Sequence, residues 1–195
     1  MEAITLTSAA VADPDDDLVL RHRYGDPAAF EELYQRYSPM VYHLALRLAG
    51  DPEEAADLTQ DVFLRVYRHL EGFGGRSSLK TWIYRVALNQ CRSRLGRHRP
   101  PTRPLAEEGA EGEAPIADPG RGPEELALAH DAARRVGRAL AALPLPFREA
   151  VVLRDLDGLA YAEIADVVGV RIGTVRSRIA RGREQLRRTL EEEER

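Results

Sequence analysis

Cysteine, lysine and tryptophan are almost missing from this chain of 195 residues: Cys91, Lys80 and Trp82 are the single examples of each. One cysteine makes no internal disulfide, so the fold is expected to rest on packing alone, in a reducing cytoplasm. Aromatic residues make up only 6% of the chain, and no stretch approaches the roughly 18 uninterrupted apolar residues of a membrane span. Membrane insertion is therefore excluded. The segment from Met1 to Asp17 holds no basic residue and no apolar block, which argues against a secretory signal. The histidines His22, His43, His69, His98 and His130 are scattered, without a pair at metal-ligand spacing. There is no phosphate loop and no Gly-x-Ser-x-Gly elbow. No catalytic residue, metal or cofactor is expected.

What the chain does have is arginine, unevenly distributed. The formal net charge of -4 would by itself argue against a nucleic-acid partner. Yet Arg76, Lys80, Arg85, Arg92, Arg94, Arg97 and Arg99 lie in a stretch without a single acid. Arg171, Arg176, Arg178, Arg181, Arg183, Arg187 and Arg188 form a second block, interrupted only by Glu184. Acids collect elsewhere, in Asp13 to Asp17 and in Glu107, Glu108, Glu111, Glu113 and Asp118. A solvated helix face usually mixes signs, whereas two one-signed blocks point to a polyanion contacted at two places.

Apolar spacing is helical throughout. Phe30, Leu33, Tyr34, Tyr37, Val41, Leu44, Ala45 and Leu48 follow the three-and-four pattern, opened by Asp26-Pro27 and closed by Gly50. Asp51-Pro52 opens the next helix, with Glu54 placed for a capping box, and Val62, Phe63, Val66, Tyr67 and Leu70 are expected to be buried. A helix from near Ser78 gathers Leu79, Trp82, Ile83, Val86 and Gln90 on one side; Ser78, Thr81, Arg85, Asn89 and Arg92 form a polar stripe on another. The expected architecture is all-α, with two small helical domains at 18–99 and 124–195. The linker between them, 100–123, holds half of the chain's 12 prolines and buries too little apolar surface to fold alone. The acidic arm, 1–17, is expected to be disordered.

In the second domain Ile164 and Ala165, then Gly169, then Val175 fall at helix-turn-helix offsets. A small residue lets the helices approach, glycine supplies the turn, and an aliphatic anchors the second helix. Val175, Ile179, Leu186 and Leu190 define its buried stripe. Thr174, Ser177, Arg178 and Arg181 project opposite, as base- and phosphate-contacting residues would. Arg176, Arg183 and Arg187 flank the stripe and suit phosphates or salt bridges at the core edge.

These segments, in this order, resemble the extracytoplasmic-function (ECF) group of bacterial RNA polymerase sigma factors, which keep only regions two and four. Asp57-Leu58-Thr59-Gln60-Asp61-Val62-Phe63-Leu64 resembles the core-binding signature of region two. Phe73-Gly74-Gly75-Arg76-Ser77-Ser78-Leu79-Lys80-Thr81-Trp82 resembles the promoter-melting loop, and Gly173 to Arg183 the recognition helix. Two positions depart from the family pattern: Ala160 and Arg171 stand where helix-capping residues are usual, each a loss of about 1 kcal/mol.

The resemblance implies a non-enzymatic protein that binds core RNA polymerase through its beta and beta-prime subunits and directs it to promoter DNA. Asp57, Gln60, Asp61 and Leu64 would meet the polymerase. Phe73, Arg76, Ser77, Ser78, Lys80, Trp82, Arg85, Asn89 and Arg92 would serve the minus-ten element. Trp82 borders both helix faces and is favoured as core. Arg171, Thr174, Ser177, Arg178 and Arg181 would serve the minus-thirty-five element. An anti-sigma factor is a further possible partner. The rival expectation is a stand-alone helix-turn-helix regulator, which leaves the first arginine block unexplained.

Overall fold

The computed structural model describes residues 15–97 and 123–193, and among them all regular structure is helical. The first domain consists of α1 (Asp16–Arg23), α2 (Pro27–Ala49), α3 (Pro52–His69) and α4 (Leu79–Arg97). The second consists of α5 (Pro123–Ala142), α6 (Leu145–Val151), α7 (Tyr161–Val168) and α8 (Ile172–Glu193). A single 3-10 turn, Leu70–Gly72, follows α3, and a π turn, Val152–Leu156, extends α6. The linker and nearly all of the acidic arm lie outside the described residues.

Local chemistry sets the helix bounds. Asp26 caps α2 by accepting from the Ala28 N–H at 2.9 Å, with Pro27 as the first helical residue. Gly50, at φ 79°, ends that helix in the left-handed region where a side chain would be strained. Asp51 then caps α3 through the Glu54 N–H at 2.8 Å. Gly50 and Asp51 alone connect α2 and α3, which pack against each other and against α4. Leu33, Val41, Leu44, Leu48, Leu58, Val62, Val66, Leu79, Ile83 and Leu88 are fully buried between them. At roughly 1.5 to 3 kcal/mol for each large aliphatic side chain, this burial is what holds the domain.

Three expectations need correction. The disordered arm does not reach Asp17: Asp15 is buried, bound by the Arg36 guanidinium and the Tyr37 hydroxyl, and Asp16 begins α1. Tyr67 is 55% exposed, its ring set edge-on to Phe30 with centroids 4.9 Å apart. Spacing alone puts it in the core, but a tyrosine keeps its polar tip in water at the core's rim. Thr81, assigned to the polar stripe of α4, is buried. α4 is covered on more than one side, and periodicity describes only helices with one dry face.

In the second domain α8 is the spine. Val175 and Ile179 are buried, and Gly182 lies so close to α6 that a Cβ there would sit 2.6 Å from Val151 Cγ2. The two domains pack together: α4 lies against α7, and α2 against α5 and α6.

Candidate nucleic-acid interface

In the second domain, Gly169 at φ 76° turns the chain between α7 and α8, and Ile164, Val167 and Val175 are buried beneath the turn. Ala160 offers no capping side chain. Half of the capping box survives nonetheless, because the Ala160 N–H donates to Glu163 Oε2 at 2.7 Å. Arg171 stands just before α8, and its carbonyl accepts from the Thr174 and Val175 N–H groups.

Arg171 is exposed, as are Thr174, Ser177 and Arg181 on α8, and Arg178 is half-buried. Thr174, Ser177, Arg178 and Arg181 share the face opposite the buried stripe, spaced as the sequence pattern requires. The flanking arginines have structural partners. Arg183 Nε donates to Asp155 Oδ2 at 2.9 Å, and Arg187 bridges Glu184 at 3.1 Å and Glu191 at 2.5 Å. Hydrogen bonds from these guanidinium groups to the carboxylates hold both above their ordinary pKa. Arg176 sits over the Tyr161 ring, 5.9 Å from its centroid, with Arg154 at 4.9 Å. What remains for a ligand is the set of Arg171, Arg178 and Arg181, which have no ion-pair partner among the described residues.

In the first domain, the loop between α3 and α4 is held from below. Arg23 donates to the Glu71 carbonyl at 3.0 Å and to the Phe73 carbonyl, and Phe73 is buried against Trp82 with ring centroids 5.5 Å apart. Ser78 caps α4: its hydroxyl accepts from the Thr81 N–H at 3.1 Å and pairs with the Thr81 hydroxyl at 2.8 Å. Phe73 and Ser78 thus shape the loop from its base. Arg76, Ser77 and Lys80 crown it, with Arg76 and Lys80 exposed.

Beside the loop lies an open cavity of about 390 Å³, lined by Arg65, His69, Gly72, Trp82, Val86 and Asn89. Trp82, Val86 and Asn89 come from α4, and the sequence pattern already marks Trp82 and Asn89 as candidates. Arg65 and His69 come from α3, and sequence reasoning misses them. Their four-residue spacing places both on one face of α3, but only the crossing of α4 turns that face into a wall.

Arg85 and Arg92, the other members of the stripe, are already bonded. Arg92 grips Glu149 of α6 with both arms, Nε to Oε1 at 2.6 Å and Nη2 to Oε2 at 2.7 Å. That bond holds the Arg92 guanidinium above its ordinary pKa. Arg85 Nε donates to the Asp166 carbonyl at 3.2 Å.

On α3, Asp57, Gln60 and Leu64 are exposed, and Leu64 and Tyr67, each 55% exposed, add apolar area to that surface. Arg94 spans two of the acids, donating to Asp57 at 3.2 Å and facing Asp61 at 3.5 Å, and Asp61 also accepts from Gln90 at 3.4 Å. Cys91 lies buried on the inner side of α4. Burial, with the Glu149 and Glu54 carboxylates nearby, pushes its thiol up to about 12. Among the described residues, no group of three or more His, Cys, Asp or Glu side chains is placed to hold a metal ion, and no helix is long and apolar enough to cross a membrane.

Comparison with known proteins agrees with this layout. Residues 33–100 match Sigma-70 region 2, and residues 133–186 match Sigma-70 region 4. The chain is 37% identical over 185 residues to the RNA polymerase sigma-H factor of Pseudomonas aeruginosa, covering 92% of this chain and 95% of that protein. It is 38% identical over 178 residues to the ECF RNA polymerase sigma-E factor of Escherichia coli K12, covering 88% and 92%. Among solved structures, CnrH, determined with the cytosolic domain of CnrY, superposes with a TM-score of 0.63 at 27% identity, covering 91% of this chain and 97% of that one. The sigma factor RpoE of Bartonella quintana, determined with the anti-sigma factor NepR, has the same fold, with a TM-score of 0.64 at 24% identity over 83% of this chain and 96% of that one. The chain belongs to the ECF sigma-factor family, its first domain being region two and its second region four.

Proposed function

We propose that this sigma factor brings core RNA polymerase to promoters by dividing the work among three surfaces. The Asp57, Gln60, Asp61 and Leu64 face of α3 docks on the beta and beta-prime subunits. A polar flank beside exposed leucine and tyrosine suits a protein interface. Region four reads the minus-thirty-five duplex with α8, where Arg178 and Arg181 form forked contacts to guanine or phosphate. Thr174 and Ser177 support them, and Arg171 binds backbone near the helix start.

Region two handles the minus-ten element. The loop crowned by Arg76, Ser77 and Lys80 grips the strand, with Phe73 and Ser78 fixing its shape. The cavity between α3 and α4 receives a base drawn from the opening duplex. Trp82 is its apolar floor and Asn89 a hydrogen-bonding wall, an arrangement that offsets the few kcal/mol of unstacking. Arg85 and Arg92 continue the track along the single strand.

The chain contributes recognition and leaves the chemistry to the polymerase, so it is not itself an enzyme and works in the cytoplasm. CnrH was solved with the cytosolic domain of CnrY and RpoE with the anti-sigma factor NepR, and an anti-sigma partner is proposed for this chain too.

The observation that carries this reading is the pairing in one chain of a helix-turn-helix, whose Arg171, Arg178 and Arg181 have no partner among the described residues, and a second arginine-lined surface beside an open cavity with room for a base. Run-off transcription tests it. Purified core polymerase with this chain should initiate at specific promoters. Duplex binding by the chain alone, with no initiation until another sigma factor is added, would support the regulator reading instead.

A further inference from the structure

Arg94 belongs by sequence to the acid-free arginine block of the first domain, yet its guanidinium is turned to carboxylates. Its Nη2 donates to Asp57 Oδ2 at 3.2 Å, Nη1 faces Asp61 Oδ2 at 3.5 Å, and Nε faces Glu54 Oε1 at 3.6 Å. All three nitrogens are in use, and all three acids come from α3. Glu54, Asp57 and Asp61 follow one another at offsets of three and four, so they line a single face of that helix. Like charges at such offsets repel. One guanidinium set among them relieves the repulsion and ties three side chains to a common point. Arg85 and Arg92, on the same helix, reach instead to the second domain. Arg94 goes with the α3 surface.

Ion pairs this exposed add little to stability. What Arg94 does change is the freedom of the acids. Asp57 and Asp61 are held through Oδ2, and among the described residues neither Oδ1 has a partner. Both side chains remain open to solvent, at 65% and 41% exposure. Each therefore keeps an acceptor oxygen for an incoming group, and a side chain already fixed loses less entropy on docking. Arg94 also shows that one planar guanidinium can span both acids. The cation that suits the remaining oxygens is a second arginine, whose fork meets two acceptors where lysine offers a single point.

We propose that Arg94 is a positioning residue for polymerase docking: it holds Asp57 and Asp61 ready to accept an arginine of the polymerase and takes no part in binding promoter DNA. The proposal rests on the assignment of this α3 face to core polymerase made above. Removing Arg94 has two effects of opposite sign. The face becomes more negative, which by charge alone draws a basic partner more tightly. The acids also become free to turn, which weakens docking. A positioning role requires that the second effect win.

Binding of the labelled full chain to purified core polymerase, without DNA, reads that sign. Arg94→Gln should bind about tenfold more weakly, the scale set by freeing two side chains. Arg94→Lys, which keeps the charge and loses the fork, should fall between the two. Arg134→Gln, an exposed cation on α5, controls for the loss of one positive charge and should bind like the parent. In a chain that also carries Asp57→Asn and Asp61→Asn, Arg94→Gln should change nothing, because a residue acting through the acids is silent once they are neutral. Circular dichroism checks folding. If Arg94→Gln does not fold, Arg94→Lys in both backgrounds carries the test.

Equal or tighter binding by folded Arg94→Gln, with the doubly substituted chain weakened, would overturn the positioning role and leave the docking face intact. A loss as large in the doubly substituted background as in the parent would overturn it too. So would Arg94→Lys binding like the parent, or a loss that appears only when promoter DNA is added. Parental binding by the doubly substituted chain would remove the docking face and the positioning role together.

Discussion

On α4 the guanidinium groups of Arg85 and Arg92 already have acceptors, whereas those of Arg171, just before α8, and of Arg178 and Arg181 on it have none among the described residues. Both helices are rich in arginine: α4 carries no acid, and α8 carries Glu184 among its arginines and Glu191, Glu192 and Glu193 at its end. They differ in what lies opposite. α4 faces the neighbouring domain, which supplies a buried carboxylate and helix-end carbonyls; the reading face of α8 meets solvent. Arginine density marks both as candidate anion surfaces, and only the placement of acceptors separates an arginine free to bind from one in use. Within α8 the same distinction applies: Arg183 ties the helix to Asp155, and Arg187 is taken up by Glu184 and Glu191 of the same helix.

Cys91 gives the largest expected effect, because it reports on the covered side of α4. Its thiol is pushed up to about 12 from an ordinary value of 9.0, so at pH 8 the native chain holds about a thousandfold less thiolate than the unfolded chain. Alkylation by iodoacetamide should be slower by at least that factor, and equal rates with and without urea would contradict the buried placement. The sign of the pH dependence follows. Between about 9 and 12 the native thiol keeps a proton that the unfolded chain has lost, so its contribution to stability disappears as pH rises through that window. Cys91→Ala should flatten this alkaline decline. Glu149, across the domain boundary, contributes to the shift, so loss of the domain contact should also speed alkylation.

Next in size is the loss of the unpaired arginines. Arg178→Ala and Arg181→Ala should each weaken minus-thirty-five binding by about 1 to 3 kcal/mol where the contact is bidentate. Thermal stability should stay at the parental value, since neither side chain has an ion-pair partner among the described residues. Arg183→Ala is the contrast: it removes the Asp155 bond and should lower the melting temperature. Promoter titrations paired with melting curves measure both. A stability loss at Arg181 equal to that at Arg183 would erase the distinction between reading and structural arginines.

The parts of this arrangement that are legible from sequence are those set by neighbours along the chain. Asp26-Pro27, Gly50, Asp51-Pro52 and Gly169 mark helix ends because capping and positive φ are local properties. The reading face of α8 follows from helical periodicity. What escapes depends on partners distant in sequence. Glu149 is an ordinary glutamate until Arg92, 57 residues away, meets it, and Arg65 and His69 become cavity walls only when α4 crosses them. Spacing misplaces Thr81 and Tyr67 because one-face periodicity does not describe a helix covered on two sides, or one at the rim of a core. The half-covered state of α4 is equally unreadable, since the opposing charge lies in another domain.

The comparison between the two surfaces also rests on how rigidly α8 is held, and two glycines probe this with opposite signs. Gly182 faces α6, and a Cβ there would sit 2.6 Å from Val151 Cγ2 and 3.2 Å from the Phe147 carbonyl. The backbone oxygen cannot swing aside as a flexible side chain would, so Gly182→Ala must push α8 away from α6. Overpacking of this kind costs about 1 to 3 kcal/mol, or a drop of roughly 4 to 8 °C for each 1 kcal/mol in a domain of this size. Minus-thirty-five binding should fall with it, although no DNA-facing atom has changed. Gly137, inside α5, has open space around it, with nothing within 4 Å of where an alanine methyl would sit. There alanine only narrows the unfolded chain's freedom and improves helix propensity, for a gain of up to about 1 kcal/mol. Melting curves of the two variants should therefore move in opposite directions, the Gly137→Ala shift being the smaller. If Gly182→Ala melts at or above the parental temperature, α8 is not seated against α6 as described, and its reading face is not fixed by that contact.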